Sequence, residues 1–225
     1  MGKTIVCDSS SLISLSETCN LGVLSFLQED FKADFVIPAA VENEIVERPS
    51  KVGRFSYSAA RIRHLVNESV LRVVANPSVA GEAERIMQKA NSLFYAEKPE
   101  RPLKILQQGE AECLALLAPL QSKALLVDEK TTRLLMEDPK KLFSLMQSEH
   151  PQTRANEKAL LEFQKQFAFP AMRSTELTAF AAQNGFFGSY NADENEVFHA
   201  SIYALRYAGC GISQKEIDDY QKMRV

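Results

Sequence analysis

The chain has 225 residues, of which 45% are hydrophobic and 24% are charged. This composition is typical of a globular protein with one substantial core or two small ones, and it excludes collagen-like and disordered classes. No stretch reaches the ~18 consecutive apolar residues of a membrane span. The first residues include no apolar segment long enough for a secretory signal, so we expect a cytoplasmic protein with no membrane partner.

The cysteines, the histidines and the charge further limit the kinds of function that we expect. The four cysteines form no Cys-x-x-Cys pair and the three histidines do not cluster, so neither a zinc site nor a disulfide framework is expected, and the cysteines are typical of small buried residues. The formal net charge of −3 predicts no overall attraction to nucleic acid. Residues 48–104, however, hold eleven Lys or Arg against five Glu. Such asymmetry points to a charged partner.

In chain order, short apolar runs alternate with helical patterns. The predicted strands are 4–7, 35–37, 70–74, 124–127 and 167–172. The predicted helices begin near Leu12 and near Ala59 and also cover 39–46, 79–95, 110–117 and 175–185, with two more beginning at Asp193 and Ser213. Residues 47–58 are predicted as a loop. The segment 138–165 is predicted as a helical insertion without a strand, and 190–225 as a C-terminal helical extension. Continuous apolar strands alternating with helices indicate an α/β fold with a mostly parallel sheet covered on both faces. We predict one domain over residues 1–225.

Acidic residues follow the apolar strands. Asp8 ends the first predicted strand and Asp128 ends the most apolar one, so both lie at the edge of a parallel sheet where ligands bind. Glu44 lies on the helix after the second strand, and Glu110 and Glu112 lie in the first turn of the helix after Gly109. Converging carboxylates repel one another unless a cation neutralises them. Oxygen-only ligation favours Mg²⁺ or Mn²⁺, the ions used for phosphoryl chemistry.

The segments that carry these acids resemble the motifs of PIN-domain ribonucleases, in the same order and at similar spacing. The similarity lies in 5–13 (IVCDSSSLI), 37–44 (IPAAVENE), 109–116 (GEAECLAL), 126–129 (LVDE) with Arg133, and 172–177 (MRSTEL), the last as in some archaeal members. The matches cover most of residues 4–185. The chain is longer than the compact toxins of this family through 138–165 and 190–225, and Glu129 stands where many relatives have a second Asp.

The resemblance implies a three-layer α/β/α Rossmann-like sandwich and a Mg²⁺- or Mn²⁺-dependent nuclease that cuts single-stranded or structured RNA. By this resemblance Asp8, Glu110 and Asp128 would hold the metal, with Glu112 as a further candidate ligand. Glu44 would orient a second metal or the attacking water. Ser10 would support a ligand from behind.

Each acid also has a plain structural interpretation. Asp8 and Asp128 could cap the helices that follow them. Glu110 and Glu112 could complement the positive end of a helix. Glu44 could be a solvated surface acid, like its neighbours in sequence. For these alternatives to hold together, acids with unrelated structural roles would have to occur independently in the same order along the chain as the acids of the family's motifs.

A basic stretch directly follows Glu44. Residues 48–63 contain no acid and five bases, interleaved with Phe55 and Tyr57, a pattern that suits phosphates and stacked bases. The five are Arg48, Lys51, Arg54, Arg61 and Arg63. An ordinary solvated loop is the alternative interpretation.

Four functions remain open. The first is a metal-dependent endoribonuclease. The second is a non-catalytic PIN-like module for RNA binding or ribonucleoprotein assembly, and the third is a toxin held by an antitoxin. The fourth is a small-phosphate enzyme, which the lack of a G-x-G-x-x-G motif and of a P-loop weakens. A homodimer is compatible with the apolar spacing of Phe198, Ile202 and Leu205, which equally suits a helix face packed on the core.

Overall fold

The computed structural model describes residues 3–97 and 100–225. In this part of the chain the strands are β1 (Lys3–Cys7), β2 (Ala33–Pro38), β3 (Leu71–Val74), β4 (Phe94–Glu97), β5 (Glu100–Pro102), β6 (Ala124–Leu126), β7 (Thr153–Ala155) and β8 (Ala171–Met172). Five of them form a parallel sheet in the order β3-β2-β1-β6-β8, and three form a small antiparallel sheet in the order β5-β4-β7.

Helices surround both sheets. They are α1 (Ser9–Glu17), α2 (Gly22–Phe31), α3 (Ala39–Glu42), α4 (Ser56–Asn67), α5 (Pro77–Ala90), α6 (Gln108–Leu117), α7 (Lys130–Glu137), α8 (Pro139–Glu149), α9 (Glu157–Gln166), α10 (Ser174–Gln183), α11 (Glu194–Tyr207) and α12 (Gln214–Tyr220). A π-helical turn, Asn43–Glu47, continues α3, and a 3₁₀ turn, Pro49–Lys51, follows it.

The main sheet confirms the α/β prediction. Residues such as Val6, Phe35 and Leu125 are inaccessible to solvent because helices cover both faces of the parallel strands. Helix α6 packs on β1, β2 and β6 with α5 beside it, and α2 packs on β2 with α10 beside it. The strand order reverses between β1 and β6, so the carboxyl ends of these two strands flank the crevice where such folds bind ligands.

Two local predictions were wrong. The segment 138–165 contains a strand, β7, whereas we expected none. The helix predicted over 79–95 ends at Ala90, and β4 follows it. Both errors have one cause. Strands β4 and β7 pair with each other, Tyr95 opposite Arg154, and this pairing brings together segments about sixty residues apart that show no strand pattern on their own.

The C-terminal extension packs on the same core. Phe198, Ile202 and Leu205 of α11 are buried in the hydrophobic core, which identifies them as a core face. Ser213 and Glu216 form the capping box predicted for α12. Three cysteines are buried as expected, whereas Cys19 is exposed. None of the helices in the described ranges is both long and apolar enough to cross a bilayer.

Candidate active site

Asp8 lies at the carboxyl end of β1, where it is almost fully buried. Its Oδ2 accepts hydrogen bonds from the backbone N–H of Ser10 at 3.0 Å and from the Ser10 hydroxyl at 2.6 Å. Asp8 therefore caps α1, which is the structural role that the sequence offered as an alternative to metal binding. The cap uses only one carboxylate oxygen. The other, Oδ1, is buried and has no hydrogen-bond partner in the described part of the chain.

Ser10 joins the ends of β1 and β6. Its hydroxyl donates to Asp8 and accepts from the backbone N–H groups of Asp128 and Glu129, at 3.1 and 3.2 Å. One hydroxyl thus fixes the orientation of the Asp8 carboxylate relative to the neighbouring strand end. This geometry is compatible with the supporting role expected for Ser10, which stays a prediction.

Asp128 is buried at the end of β6 and is held from the far side by Ser174. Its two carboxylate oxygens accept from the Ser174 backbone N–H at 2.7 Å and the Ser174 hydroxyl at 2.6 Å. Asp128 does not cap the helix that follows it, because Glu129 fills that place by accepting from Thr131 and Thr132. It caps α10 instead, forty-six residues further along the chain.

Glu110 and Glu44 approach the site from two helices. Glu110 closes the first turn of α6 by accepting from the backbone N–H of Gln107 at 2.9 Å. Glu44 lies in the π-helical turn after α3, with its carboxylate against Gly109. A Cβ atom at position 109 would be 3.0 Å from Glu44 Oε2. π-Helical turns are rare and are found frequently at functional sites.

The charges of these acids interact. Burial raises the pKa of Asp8 above its ordinary value, against the lowering effect of the Ser10 hydrogen bonds, and the Glu44 charge raises it further. Burial likewise raises the pKa of Glu110, and the charges of Asp8 and Glu44 add to that rise. Asp8, Glu44 and Glu110, which we call the acid cluster, are therefore close enough to repel one another.

Glu112 is placed differently from the acid cluster. It is buried, its Oε2 accepts from the backbone N–H of Ala40 at 3.0 Å, and its Oε1 accepts from Gln108 at 2.9 Å. Both oxygens are thus engaged in joining α6 to the first turn of α3. The structure gives Glu112 a helix-capping role, and a role for it in metal binding stays a prediction.

The fit of the acid cluster to a divalent cation can be tested on the atoms present. Residues 3–97 and 100–225 include no group of three His, Cys, Asp or Glu side chains already arranged as a metal site. Oxygen donors, mutual repulsion and the unpartnered Asp8 Oδ1 all suit a hard cation such as Mg²⁺ or Mn²⁺. The donor chemistry therefore fits, although the acids are not already arranged as a complete ligand set.

The basic stretch divides into two groups. Arg61 donates to the Ser16 carbonyl at 2.7 Å, and Arg63 pairs with Glu47 at 3.2 Å, so both have intramolecular partners. Among the described residues, Arg48, Lys51 and Arg54 have no carboxylate within ion-pair distance. We call these three the basic loop.

Four residues that support the site were not among our predicted site residues. Ser174 holds Asp128, and the adjacent Arg173 binds the C-terminal extension by donating to the Gly211 carbonyl at 3.1 Å and to Glu216 at 2.7 Å. The backbone N–H of Gly211 donates to the Asp128 carbonyl at 3.1 Å. The similarity of 172–177 to a family motif was the one sequence signal for Arg173 and Ser174. The spacing of Ser213 and Glu216 indicated only a helix start, and nothing in the sequence pointed to Gly211.

Substitution of Gly109 by Ala is expected to weaken Mn²⁺ binding about tenfold, the scale of changes that displace supporting groups. The new methyl group would push the Glu44 carboxylate away, since 3.0 Å is too short a contact. Stability should hold or rise, because Ala favours a helix over Gly by about 1 kcal/mol. Gly81→Ala is the control, since a Cβ at position 81 of α5 meets nothing within 4 Å. Equal Mn²⁺ affinity by calorimetry for Gly109→Ala and wild type would contradict this placement of Glu44.

Comparison with known proteins identifies a family. A family model described as a PIN domain matches residues 4–138, which is more than half of the chain. The match includes all four acid-bearing segments that we singled out, and it ends at the start of the insertion. Searches of the curated proteins and of the solved structures found no match.

Proposed function

This chain belongs to the PIN-domain family, whose members are generally nucleases that use divalent metals, and on that premise we propose that it is a metal-dependent endoribonuclease. It would hydrolyse phosphodiester bonds in RNA with Mg²⁺ or Mn²⁺ bound at the carboxyl ends of β1 and β6. The observation that carries the proposal is the acid cluster around Asp8. The Asp8 side chain is buried, and its Oδ1 atom has no hydrogen-bond partner among the described residues.

The acid cluster favours catalysis over plain binding. A module that only binds phosphate has no use for a buried carboxylate beside the half-buried Glu110 and the exposed Glu44, because these charges repel the ligand and destabilise the fold by repelling one another. In this chain the repulsion adds to the effect of burial in raising the pKa of Asp8 and of Glu110. Such perturbation in a crevice is characteristic of functional sites.

Each acid has a proposed role. Asp8, Glu110 and Asp128 would hold the metal, with Glu44 orienting a second metal or the attacking water. A bound divalent cation would lower the pKa of water and stabilise negative charge on the phosphoryl oxygens. Ser10 and Ser174 keep the Asp8 and Asp128 carboxylates in one orientation, as outer-shell hydrogen bonds do in metal sites.

The test is incubation of the purified protein with end-labelled single-stranded and hairpin RNA, in Mn²⁺ or in EDTA, beside the Asp8→Asn variant. Internal cleavage by wild type in Mn²⁺, and by neither control, is the expected result. RNA binding without any cleavage would favour the non-catalytic module instead. Cleavage that persists in EDTA, or in the variant at the wild-type rate, would overturn the proposed mechanism.

RNA is the proposed partner, and the basic loop is the part of the site that would attract it. Changing Arg48, Lys51 and Arg54 together to Ala is expected to weaken binding to every RNA sequence, because phosphates are bound regardless of base. The slope of log affinity against log salt concentration should become shallower by about 0.7 for each phosphate of a single strand that the variant no longer neutralises. Mn²⁺ affinity should not change, since these side chains ligate nothing.

The control for the basic loop is Lys140→Ala with Lys141→Ala and Lys158→Ala, three exposed residues of α8 and α9 that change the net charge equally. Affinities are measured across a salt series for both triple variants and for wild type. Identical slopes for the two triple variants would show that the loop is merely solvated. A homodimer, an antitoxin or a ribonucleoprotein partner is compatible with this proposal.

A further inference from the structure

A cleft of about 370 Å³ opens directly beside the acid cluster, between α1, the π-helical turn and α4. Glu44 of the acid cluster and Arg54 of the basic loop both line it. Its remaining lining residues are Ile13, Glu17, Ile45, Pro49, Phe55, Ser58 and Ile62. The cleft therefore connects the proposed catalytic acids with the cations proposed to bind the backbone of RNA.

We propose that this cleft binds one unpaired nucleobase of the substrate, stacked on Phe55. The inference rests on the proposed function for its choice of ligand. The Phe55 side chain is 47% exposed, which is unusual for a large apolar residue, and the Arg54 guanidinium lies 5.4 Å from its ring centroid. An aromatic ring flanked by Arg is a recurrent platform for bases of single strands.

The charges in the cleft select a base over a phosphate. Glu17 and Glu44 would repel a phosphate that entered it, and Ile45 and Ile62 supply an apolar floor that suits the flat face of a neutral base. Arg54 is the one cation among the lining residues, and it would pair with the phosphate next to the inserted base. A polymer of charged phosphates and neutral bases therefore fits the cleft with one base inserted.

Half of the exposed large apolar residues lie at or near this cleft. Of the eight in the described ranges, Ile13 and Phe55 line the cleft, Val52 lies in the preceding loop, and Tyr57 lies in the first turn of α4. A base inside a duplex is stacked on its neighbours and cannot reach Phe55, whereas a base in a single strand is free to do so. Selection against duplex RNA follows from this difference.

The test uses binding, so it does not depend on cleavage. Affinity for a single-stranded RNA and for its duplex is measured in EDTA on the Asp8→Asn background, with Phe55 unchanged or replaced by Trp, Leu or Ala. Phe55→Trp is expected to retain single-strand affinity. Phe55→Leu and Phe55→Ala are expected to lose roughly 5- to 100-fold, the range for one base stacked on an aromatic residue. Tyr207→Ala, which removes an aromatic ring that is 86% exposed on α11, is the control and should change nothing.

A second readout locates the base. An oligonucleotide that carries one 2-aminopurine should lose fluorescence on binding when Phe55 or Trp is present, and should lose less with Leu. Equal affinity of the Leu and parent proteins, or no preference for single strand over duplex, would overturn the proposal. Stacking without any cleavage by the wild-type enzyme would instead leave this binding site intact and remove the proposed catalytic function.

Discussion

Asp8→Asn is expected to abolish metal-dependent cleavage and, in EDTA, to make the protein more stable. Loss of a ligand should cost more than the 10- to 100-fold typical of outer-shell changes, so activity should fall at least about a hundredfold. Stability should rise because the variant removes the buried charge that repels Glu44 and Glu110. Asn still caps a helix and still accepts from Ser10, so the fold is kept.

The pH dependence of this stability gain has a definite sign. The pKa of Asp8 is raised in the folded state, so the ionised wild-type residue destabilises the fold as pH rises through that pKa. The advantage of Asn is therefore largest at neutral pH, and it disappears below the ordinary value of 3.8, where Asp8 is protonated in both states.

Thermal unfolding of wild type and Asp8→Asn in EDTA measures the effect, with each kcal/mol relieved raising Tm by about 2–4 °C. The control is Asp30→Asn, an exposed acid on α2. In millimolar Mn²⁺ the Tm of wild type should equal or exceed that of Asp8→Asn, because the metal stabilises only a protein that binds it. A lower Tm for Asp8→Asn in EDTA at neutral pH would contradict the electrostatic account of the acid cluster.

Arg173→Lys is expected to lower both stability and Mn²⁺ affinity, although the charge is retained. The buried guanidinium of Arg173 donates to Glu176, to Glu216 and to the Gly211 carbonyl, and an ammonium cannot make this set of contacts. Each hydrogen bond between charged groups contributes about 1.5–3 kcal/mol when buried. Both carboxylate partners are more than one third exposed, so the total cost should stay near the lower figure.

The effect on metal binding separates positioning from simple stability. Ser174 follows Arg173 and holds both oxygens of Asp128, so a shift of Arg173 should weaken Mn²⁺ binding about tenfold even where the variant is fully folded. The control is Arg72→Lys, whose pair with Asp34 is largely exposed and should contribute less than about 1 kcal/mol. Unchanged Mn²⁺ affinity in folded Arg173→Lys would show that Arg173 has no positioning role.

Acid titration tests the same network independently. Partial burial raises the pKa of Glu216, but hydrogen bonds from Arg173 and Ser213 outweigh this and hold the pKa at about 2, against an ordinary value of 4.5. The contribution of Glu216 to stability is therefore complete above pH 4.5 and disappears as pH falls toward 2. Glu216→Gln should unfold with a flatter dependence on pH in that window.

The parts of the site that could be predicted are those that a local pattern determines. An apolar run followed by an acid locates Asp8 and Asp128 at strand ends, and parallel pairing brings those ends to one edge of the sheet. Glu44 and Glu110 were singled out by their places on helices that follow strands, and the resemblance to PIN domains agreed with both. A supporting role for Ser10 stays a prediction.

The parts that escaped prediction depend on contacts distant in sequence. Glu110 and Glu112 are both glutamates on α6, but two positions on one helix face different neighbours. Glu112 faces the first turn of α3, where it accepts from the Ala40 backbone N–H. The strand predicted over 167–172 forms only at Ala171–Met172, where β8 pairs with β6, and sequence alone did not show that it would position Ser174. The π-helical turn at Glu44 was likewise not predicted, and the contact of the Glu44 carboxylate with Gly109 joins residues sixty-five apart in the sequence.

The docking of Gly211 on Asp128 links the site to the order in which the chain is made. Synthesis proceeds from residue 1, so the acids at 8, 44, 110 and 128 emerge long before Gly211 and Glu216. A Cβ atom at position 211 would lie only 2.9 Å from the Asp128 carbonyl oxygen. This segment can therefore approach Asp128 so closely because residue 211 is a glycine. The nascent chain lacks Ser174, which holds the Asp128 carboxylate, and then Gly211, which holds the Asp128 backbone carbonyl, until the ribosome has released about eighty residues beyond Asp128. Assembly of the site is thus a late event in synthesis, set by the sequence separation of its supports.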